Sequence, residues 1–298
     1  MKLVMTLLVR DADDLLTANL EYHLSQGVDH FVVTDNRSTD GTREILEAYR
    51  ARGLVDLIDE PADNYAQGKW VTRMARRAAR ELGADWVINN DADEFWWPPE
   101  GGDLKALLAA CPEGTAAMRA QRLDFVPTPA AEEQPFHEAM VVRERASRNV
   151  LDQPLPPKVC HRASLRYRNL VGNHVVQERR GPLRLWRDLQ TVDLGMVILH
   201  FPRITYGKFE RKIRLGGAAL KRNLLLSRDT GAAWRKLHDL QLQGGLRGYW
   251  DEQLHTQEEL EERVRRGELA LDTRLRDHLR PLLGAAEPTT ARRPEASP

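Results

Sequence analysis

The sequence lacks the features of several large classes of protein. Its two cysteines, Cys111 and Cys160, are too few for a disulfide framework or a cysteine-based metal site, so we expect a reducing compartment, the cytoplasm. Lysine plus arginine equals aspartate plus glutamate at 44 each, so no overall charge attracts a nucleic acid partner. No apolar run is long enough to span a bilayer, and residues 3–9 meet Arg10 too early for a signal peptide. Peripheral membrane contact stays open.

The rest of the composition is typical of a globular protein. Hydrophobic residues make up 42% and charged residues 30% of the 298 residues. A chain of this length buries a substantial core, either as one large domain or as one domain with an appendage.

Strands and helices alternate in the first third of the chain. Apolar, β-branched runs predict strands at 3–9, 29–34, 54–58 and 85–90. The segments between them have the apolar spacing of helices, and each ends at a glycine: Gly27, Gly53 and Gly83. This alternation predicts an α/β fold in which helices cover both faces of a parallel sheet.

Carboxylates follow the predicted strands, at the sheet edge where ligands bind in such folds. Asp91 and Asp93 point to the same side of an extended chain. Two close carboxylates repel each other unless a cation lies between them, and Mg²⁺ and Mn²⁺ are the usual cations because they prefer oxygen ligands. The alternative is a solvated acidic turn. The gathering of carboxylates from several strands at one edge favours a site.

The remainder of the chain is less regular. A short helix at 103–110 and a strand at 116–126 precede a proline-rich loop at 127–157, and a last strand ends at His200. Helical spacing begins near Tyr206, and the final residues have almost no apolar content. We therefore predict a main domain at 1–205, a helical extension packed on it at 206–283, and a disordered tail at 284–298.

Several motifs occur in a fixed order along residues 1–215. They are Val9-Arg10-Asp11, Tyr22-His23, Gly27-Val28-Asp29-His30-Phe31, Asp35-Asn36-Arg37-Ser38-Thr39-Asp40-Gly41-Thr42, Asp91-Ala92-Asp93-Glu94-Phe95 and His200-Phe201-Pro202-Arg203, followed by Phe209 and Lys212. In this set the chain resembles the family 2-like glycosyltransferases of the GT-A fold, in particular a one-domain bacterial subgroup. It departs from the pattern at Ala12, where the subgroup usually has an acidic residue, so the contact to the base at this strand end is in question.

The resemblance implies a Rossmann-like mixed sheet and an enzyme that takes a sugar from a nucleotide diphosphate donor. Asp35 would contact the base or ribose, Asp91 would lie near the ribose and the metal, and Asp93 would bind Mn²⁺ or Mg²⁺ directly. His200 would be a further metal ligand, since imidazole suits Mn²⁺ better than Mg²⁺. Taken alone, a histidine at a strand end is more often structural.

Other polar residues are candidates for binding the donor or for catalysis. The candidate donor contacts are Arg10, Asn36, Lys69, Lys158 and Lys212, although a basic helix face is often merely solvated. Family 2-like enzymes typically invert the anomeric centre and need a general base. The candidates are His174, Asp124 and Glu94. The acceptor, whether a glycan, a lipid or a small molecule, is not indicated.

Two other functions compete with this hypothesis. A sugar-nucleotide nucleotidyltransferase would share the metal and the nucleotide-binding topology. It would, however, carry a glycine-rich basic loop after the first strand, where this chain has Arg10-Asp11-Ala12-Asp13-Asp14. A non-catalytic glycosyltransferase-like binding module would be expected to lose its metal ligands, and Asp91 and Asp93 are both present.

Overall fold

A computed structural model describes residues 1–99, 102–183, 185–227 and 229–284. The predicted tail, apart from Gly284, lies outside these residues. The strands are β1 Leu3–Val9, β2 His30–Asp35, β3 Val55–Asp59, β4 Trp86–Asn90, β5 Glu94–Trp97, β6 Ala117–Asp124, β7 Val142–Glu144, β8 Lys158–Arg162, β9 Tyr167–Asn169, β10 Val176–Arg180, β11 Leu185–Asp188, β12 Thr191–His200 and β13 Leu269–Leu271.

The α-helices are α1 Leu16–Ser25, α2 Thr42–Ala51, α3 Gln67–Arg80, α4 Leu104–Ala109, α5 Phe136–Ala139, α6 Tyr206–Arg222, α7 Ala232–Leu242, α8 Leu246–Gln253, α9 Gln257–Arg265 and α10 Arg274–Gly284. Two short 3₁₀ turns lie at Pro129–Glu132 and Val171–Asn173. Among the described helices, none is long and apolar enough to cross a bilayer.

Eight strands form one mixed sheet in the order β3-β2-β1-β4-β8-β6-β12-β5. The four strands predicted in the first third, β1 to β4, are parallel neighbours. Beyond them, β8 is antiparallel to β4 and β6, β12 is parallel to β6, and β5 is antiparallel to β12. With helices on both faces of this sheet, the predicted α/β fold of the GT-A type is confirmed.

The core follows from the alternation of side chains along β1. Leu3, Met5 and Leu7 are fully buried in the larger core cluster, which includes Leu16 of α1 and Leu46 of α2. Val4, on the other face, is buried in a second cluster with residues of α3, among them Val71, Met74 and Ala78. A strand buried on both faces needs a continuous apolar sequence, which explains why β1 was predictable from its apolar run alone.

Buried polar side chains hold the acidic turn between β4 and β5. The Asn19 amide donates to the carbonyls of Ala92 and Glu94, both at 2.9 Å. The Trp96 indole donates to the Asn90 side chain at 2.9 Å. Since each of these groups is buried, losing a partner would leave an unpaired polar atom in the core. These buried hydrogen bonds therefore fix the direction in which the turn presents its carboxylates.

Two segments differ from the sequence-based expectation. The predicted loop at 127–157 contains a 3₁₀ turn, α5 and β7. The predicted helical extension includes β13, which pairs with β7 in the main domain. Both short strands exist because a partner distant in sequence supplies their hydrogen bonds, and local periodicity does not report such partners.

Two adjacent glycines let α7 pack closely on α6. A Cβ at Gly216 would lie 2.4 Å from the Trp234 ring, and one at Gly217 would lie 2.3 Å from Cγ and 2.4 Å from Cβ of His238. Glycine inside a helix is less stable than alanine by about 1 kcal/mol, so both residues are unfavourable locally. The close contact between the two helices compensates for this cost.

We expect Gly217→Ala to lower the free energy of unfolding by about 1–3 kcal/mol, the usual cost of overpacking, as measured by chemical denaturation. Gly207→Ala, in the first turn of the same helix, is the matched control because a Cβ there meets no atom within 4 Å. That change should be neutral or stabilising by up to about 1 kcal/mol. Equal effects of the two substitutions would contradict the packing explanation.

Candidate active site

A cavity of about 390 Å³ opens at the carboxyl ends of β1 and β4, between the sheet and helix α6. We call it the edge cavity. Asp11, Asp93 and His200 line it from the sheet side, and Lys208 and Lys212 line it from α6. The carboxyl ends of parallel strands are where α/β folds bind ligands, and the predicted acidic edge is therefore a concave, enclosed surface.

Three of the five described non-glycine residues with a positive φ lie in or beside this cavity. Asp11, after β1, has a φ of 53°, and Tyr65, after β3, has a φ of 48°. Asn173, with a φ of 59°, lies between Gly172 and His174, and the latter two line the cavity together with Asp11 and Tyr65. Residues other than glycine in this region cost of the order of 1–3 kcal/mol each and are found mostly at functional sites.

Asp93 and His200 face each other across the cavity floor. His200 Nε2 lies 3.7 Å from Asp93 Oδ2, and His200 Nδ1 lies 2.7 Å from Asp124 Oδ1. All three side chains are buried. Although burial disfavours the imidazolium, Asp124 and Asp93 raise the pKa of His200 to about 9. The carboxylate behind Nδ1 fixes the ring so that Nε2 points to Asp93, an arrangement typical of metal-ligating histidines.

Asp91 lies apart from this pair because Lys158 binds it. The buried Lys158 ammonium donates to Asp91 Oδ2 at 2.6 Å and lies 3.0 Å from Glu94 Oε1. Burial disfavours the ammonium, but Asp91 and Glu94 raise the pKa of Lys158 above its usual value. Burial also raises the pKa of Glu94, against the opposing effect of Lys158. Within the described residues, no group of three or more His, Cys, Asp or Glu side chains converges as a metal cage.

Helix α6 presents three cations at spacing i, i+3 and i+4, and such residues share one helix face. Lys208 forms ion pairs with Asp13 and, at 3.2 Å, with Asp40. The other two cations reach the strand ends directly: Arg211 Nε donates to Asp11 at 2.8 Å, and Lys212 Nζ donates to Asp93. Burial opposes ionisation of Asp93, but Lys212 and His200 hold the pKa of its carboxyl well below the usual range. The carboxylate edge is thus neutralised by cations from far along the chain.

The structure brings most of the predicted donor contacts to the edge cavity and leaves two outside it. Arg10, Asn36, Asp91, Lys158 and Lys212 line the edge cavity. Asp35 and Lys69 are not among the lining residues. The Asp35 carboxylate instead accepts the backbone N–H of Ser38 at 3.0 Å and stabilises the turn after β2.

The three candidate bases have different surroundings. Asp124 is engaged with His200, and Glu94 lies fully buried beside Lys158. His174 lines the cavity, and its Nδ1 lies 2.9 Å from the Pro157 carbonyl, so that Nδ1 carries the hydrogen. Burial and, secondarily, the nearby cations lower the pKa of His174 to about 3. Its Nε2 is then a free acceptor, because within the described residues no hydrogen bond occupies it.

Sequence reasoning missed several residues that line the cavity. They are Tyr65, Arg122, Arg211 and Trp234. The spacing of Arg211 between Lys208 and Lys212 on one helix face was a usable signal. For the other three, the sequence carries no local signal, because strand pairing and helix packing bring them to the cavity.

The family model described as glycosyltransferase family 92 matches residues 6–218, which is 213 of the 298 residues. No curated protein sequence matches the chain.

The chain is also similar to several solved structures. S. aureus TarS 1–349 shares 16% identity with it at a TM-score of 0.37, covering 78% of this chain and 69% of that one. The same TarS segment in complex with UDP-GlcNAc gives 15% identity, a TM-score of 0.37, and coverage of 90% and 93%. Glucosyl-3-phosphoglycerate synthase from Mycobacterium tuberculosis, in complex with Mn²⁺, UDP and glucosyl-3-phosphoglycerate, gives 16% identity, a TM-score of 0.30, and coverage of 41% and 44%. These likenesses are distant, so the family match carries the assignment.

We expect Lys158→Met to lower the free energy of unfolding by about 3–5 kcal/mol, since it removes the nearer cation from the buried Glu94 carboxylate and leaves Arg122 at 3.9 Å. Adding Glu94→Gln should restore most of this loss because it removes the fully buried charge. Urea denaturation of both variants at neutral pH is the measurement. A loss below about 1 kcal/mol in the single variant would show that Glu94 does not depend on Lys158, in contrast to the usual behaviour of buried ion pairs.

Proposed function

Because the chain belongs to glycosyltransferase family 92 and is a glycosyltransferase, we propose that it moves a sugar from a nucleotide diphosphate sugar to a hydroxyl group of its acceptor. The observation that carries the proposal is the edge cavity, where Asp93 and His200 face three cations of α6. Such a cavity offers both signs of charge. A diphosphate needs cations, and a divalent ion that accompanies it needs carboxylate or imidazole ligands.

The α6 cations are suited to bind the diphosphate. Lys208, Arg211 and Lys212 now neutralise carboxylates at the strand ends. Phosphate oxygens are equally good acceptors for ammonium and guanidinium groups. When the donor binds, we propose that these three side chains turn part of their hydrogen bonding to the phosphates and hold the leaving group in place while the glycosidic bond breaks.

Asp93 and His200 could hold a divalent cation after two changes. Lys212 must leave the Asp93 carboxylate, and His200, whose pKa of about 9 keeps it protonated at neutral pH, must lose its Nε2 proton. The two residues would then supply one carboxylate and one imidazole, 3.7 Å apart, with Asp124 orienting the imidazole. Two protein ligands suffice for Mg²⁺ or Mn²⁺ when phosphate oxygens and water complete the shell, and the imidazole favours Mn²⁺. When bound, the ion would neutralise charge that develops on the departing nucleoside diphosphate. Asp91, bound by Lys158, would act next to this pair as a contact to the ribose.

His174 is our candidate for the general base of an inverting transfer. Pro157 fixes its tautomer, so Nε2 presents a lone pair to the cavity. Asp124 and Glu94, the other candidates, form buried contacts with His200 and Lys158. A base that accepts the hydroxyl proton as the new bond forms must reach the substrate, and geometry is the first criterion. The low pKa of His174, about 3, keeps the ring neutral and able to accept at neutral pH, but it also makes the ring a weaker base. Asp124 then acts as a positioning residue, and Glu94 anchors Lys158.

The two competing functions are less well supported than sugar transfer. Family membership decides against a sugar-nucleotide nucleotidyltransferase and against a binding module without activity. We also propose that the chain belongs to the family 2-like, one-domain subgroup and that it acts in the cytoplasm. The latter is supported by the free, buried thiols of Cys111 and Cys160.

We expect UDP, GDP or CDP to stabilise the chain, and Mn²⁺ to increase the effect. A hundredfold excess over the dissociation constant contributes about 2.7 kcal/mol, which is roughly 5 °C or more in Tm for a chain of this size. Differential scanning fluorimetry measures the shift. Asp93→Asn should abolish the increment due to Mn²⁺, whereas Asp152→Asn, on an exposed turn, should leave it unchanged. If none of the three diphosphates shifts Tm with either Mn²⁺ or Mg²⁺, donor binding at this cavity is excluded.

We expect His174→Ala to lower the rate of sugar transfer or donor hydrolysis by about 10²–10⁴, the usual contribution of a general base. The shift in Tm caused by the nucleoside diphosphate should stay as in the parent chain, which separates loss of the base from loss of the donor. His255→Ala, in the C-terminal region, is the matched control. A change of rate below about tenfold would remove His174 from the mechanism.

A further inference from the structure

Strands β9, β10 and β11 form a small antiparallel sheet outside the main one. We call β10, β11 and the described residues between them, 176–183 and 185–188, the arginine hairpin. Its base is anchored, because Val176 and Leu189 are buried in a cluster with Ala117 and Val159 of the main sheet. The Arg168 guanidinium of β9 stacks on the Trp186 ring of β11 at 4.2 Å and holds the middle of the hairpin in place. The hairpin is therefore a firmly attached projection.

The tip of the hairpin exposes apolar side chains. Leu183, in the turn, is 81% exposed and Leu185 is 52% exposed. Leu165, at 50% exposure, lies one residue before Arg166, whose backbone carbonyl accepts the Arg179 N–H at 3.1 Å. Single exposed leucines are ordinary. Here three of them lie at one end of one projection.

Arginines accompany these leucines on the same surface. Arg180 is directly opposite Leu185, and Arg187 is directly opposite Glu178 in the antiparallel register, so these four side chains share a face. Glu178 pairs with both Arg180 and, at 3.7 Å, Arg166. One carboxylate among three exposed guanidiniums leaves the face positively charged.

The hairpin is also continuous with the edge cavity. β10 begins at Val176, two residues after His174, and the 3₁₀ turn Val171–Asn173 that precedes it includes the cavity-lining Gly172. Gln67, at the start of α3, accepts the Gly172 N–H at 2.9 Å and fixes this turn. The tip lies away from the cavity, because β10 runs from Asn169 toward Arg166, which follows Arg162, the partner of Trp86 at the start of β4.

We propose that the arginine hairpin docks on an anionic membrane surface. The leucines at the tip enter the headgroup boundary, and the arginines bind lipid phosphates. Exposed leucines distinguish this partner from a soluble polyanion, since nucleic acid or an acidic peptide offers them no apolar phase. The proposal goes beyond the sugar transfer and does not depend on it.

Co-sedimentation of the full chain with vesicles tests the proposal. Vesicles of phosphatidylcholine with about 30% phosphatidylglycerol should bind the chain, and pure phosphatidylcholine should bind it at least about tenfold more weakly. Removing positive charge in the double variant Arg180→Gln/Arg187→Gln should weaken binding by about fivefold per arginine, and raised salt should act in the same direction. Leu183→Ser/Leu185→Ser should weaken it as well.

The matched control is Leu224→Ser/Leu225→Ser, because these leucines are 91% and 86% exposed but lie in the loop after α6. This variant should bind like the parent chain. Equal binding to neutral and anionic vesicles, or loss of binding in the control alone, overturns the proposal. So does binding to soluble heparin without binding to vesicles. Unchanged shifts of Tm with nucleoside diphosphates in every variant keep this test separate from that of the proposed function.

Discussion

The accumulation of carboxylates at one edge of the sheet is the constraint on which the rest of the structure depends. Parallel strands end side by side, so the carboxylates that follow β1, β2 and β4 cannot avoid one another. At a distance of about 4 Å and an effective dielectric constant near 20, two unit charges interact by about 4 kcal/mol. Several such repulsions would exceed the net stability of an ordinary domain. The edge is stable because cations from β8 and α6 reach it.

This requirement explains why α6 lies where it does. Its three cations need a helix face that crosses the strand ends, and the close packing of α7 at Gly216 and Gly217 holds the helix there. The same cations are the natural partners of a diphosphate. An edge whose carboxylates already have exchangeable cationic partners can accept a charged donor without creating unpaired charge. Stability and donor binding thus rest on the same ion pairs, and substitutions in them will affect both properties.

Three strands of the first third, β1, β2 and β4, were predictable because they are buried on both faces, and the edge strand β3 was predictable from its apolar residues. β1 to β4 appear as apolar runs, and their parallel order follows from the helices between them. The polar ends of these strands could also be recognised in the sequence. Asp93 and His200, which the resemblance predicts to be metal ligands, lie 3.7 Å apart. The role of each individual carboxylate was harder to predict. Asp35 stabilises a turn, and Asp91 belongs to Lys158. A carboxylate looks the same in a sequence whether it binds a ligand or a neighbour.

By itself, the sequence determined the alternation of strands and helices, the edge to which the acidic residues are delivered, and the basic face of α6. Each of these follows from local periodicity. Only the tertiary structure decided which cation meets which carboxylate: Lys158 is 67 residues from Asp91, Lys212 is 119 from Asp93, and Arg211 is 200 from Asp11. Contacts over such separations depend on the order of the strands and the position of α6. These are properties of the packed chain, which no local pattern records.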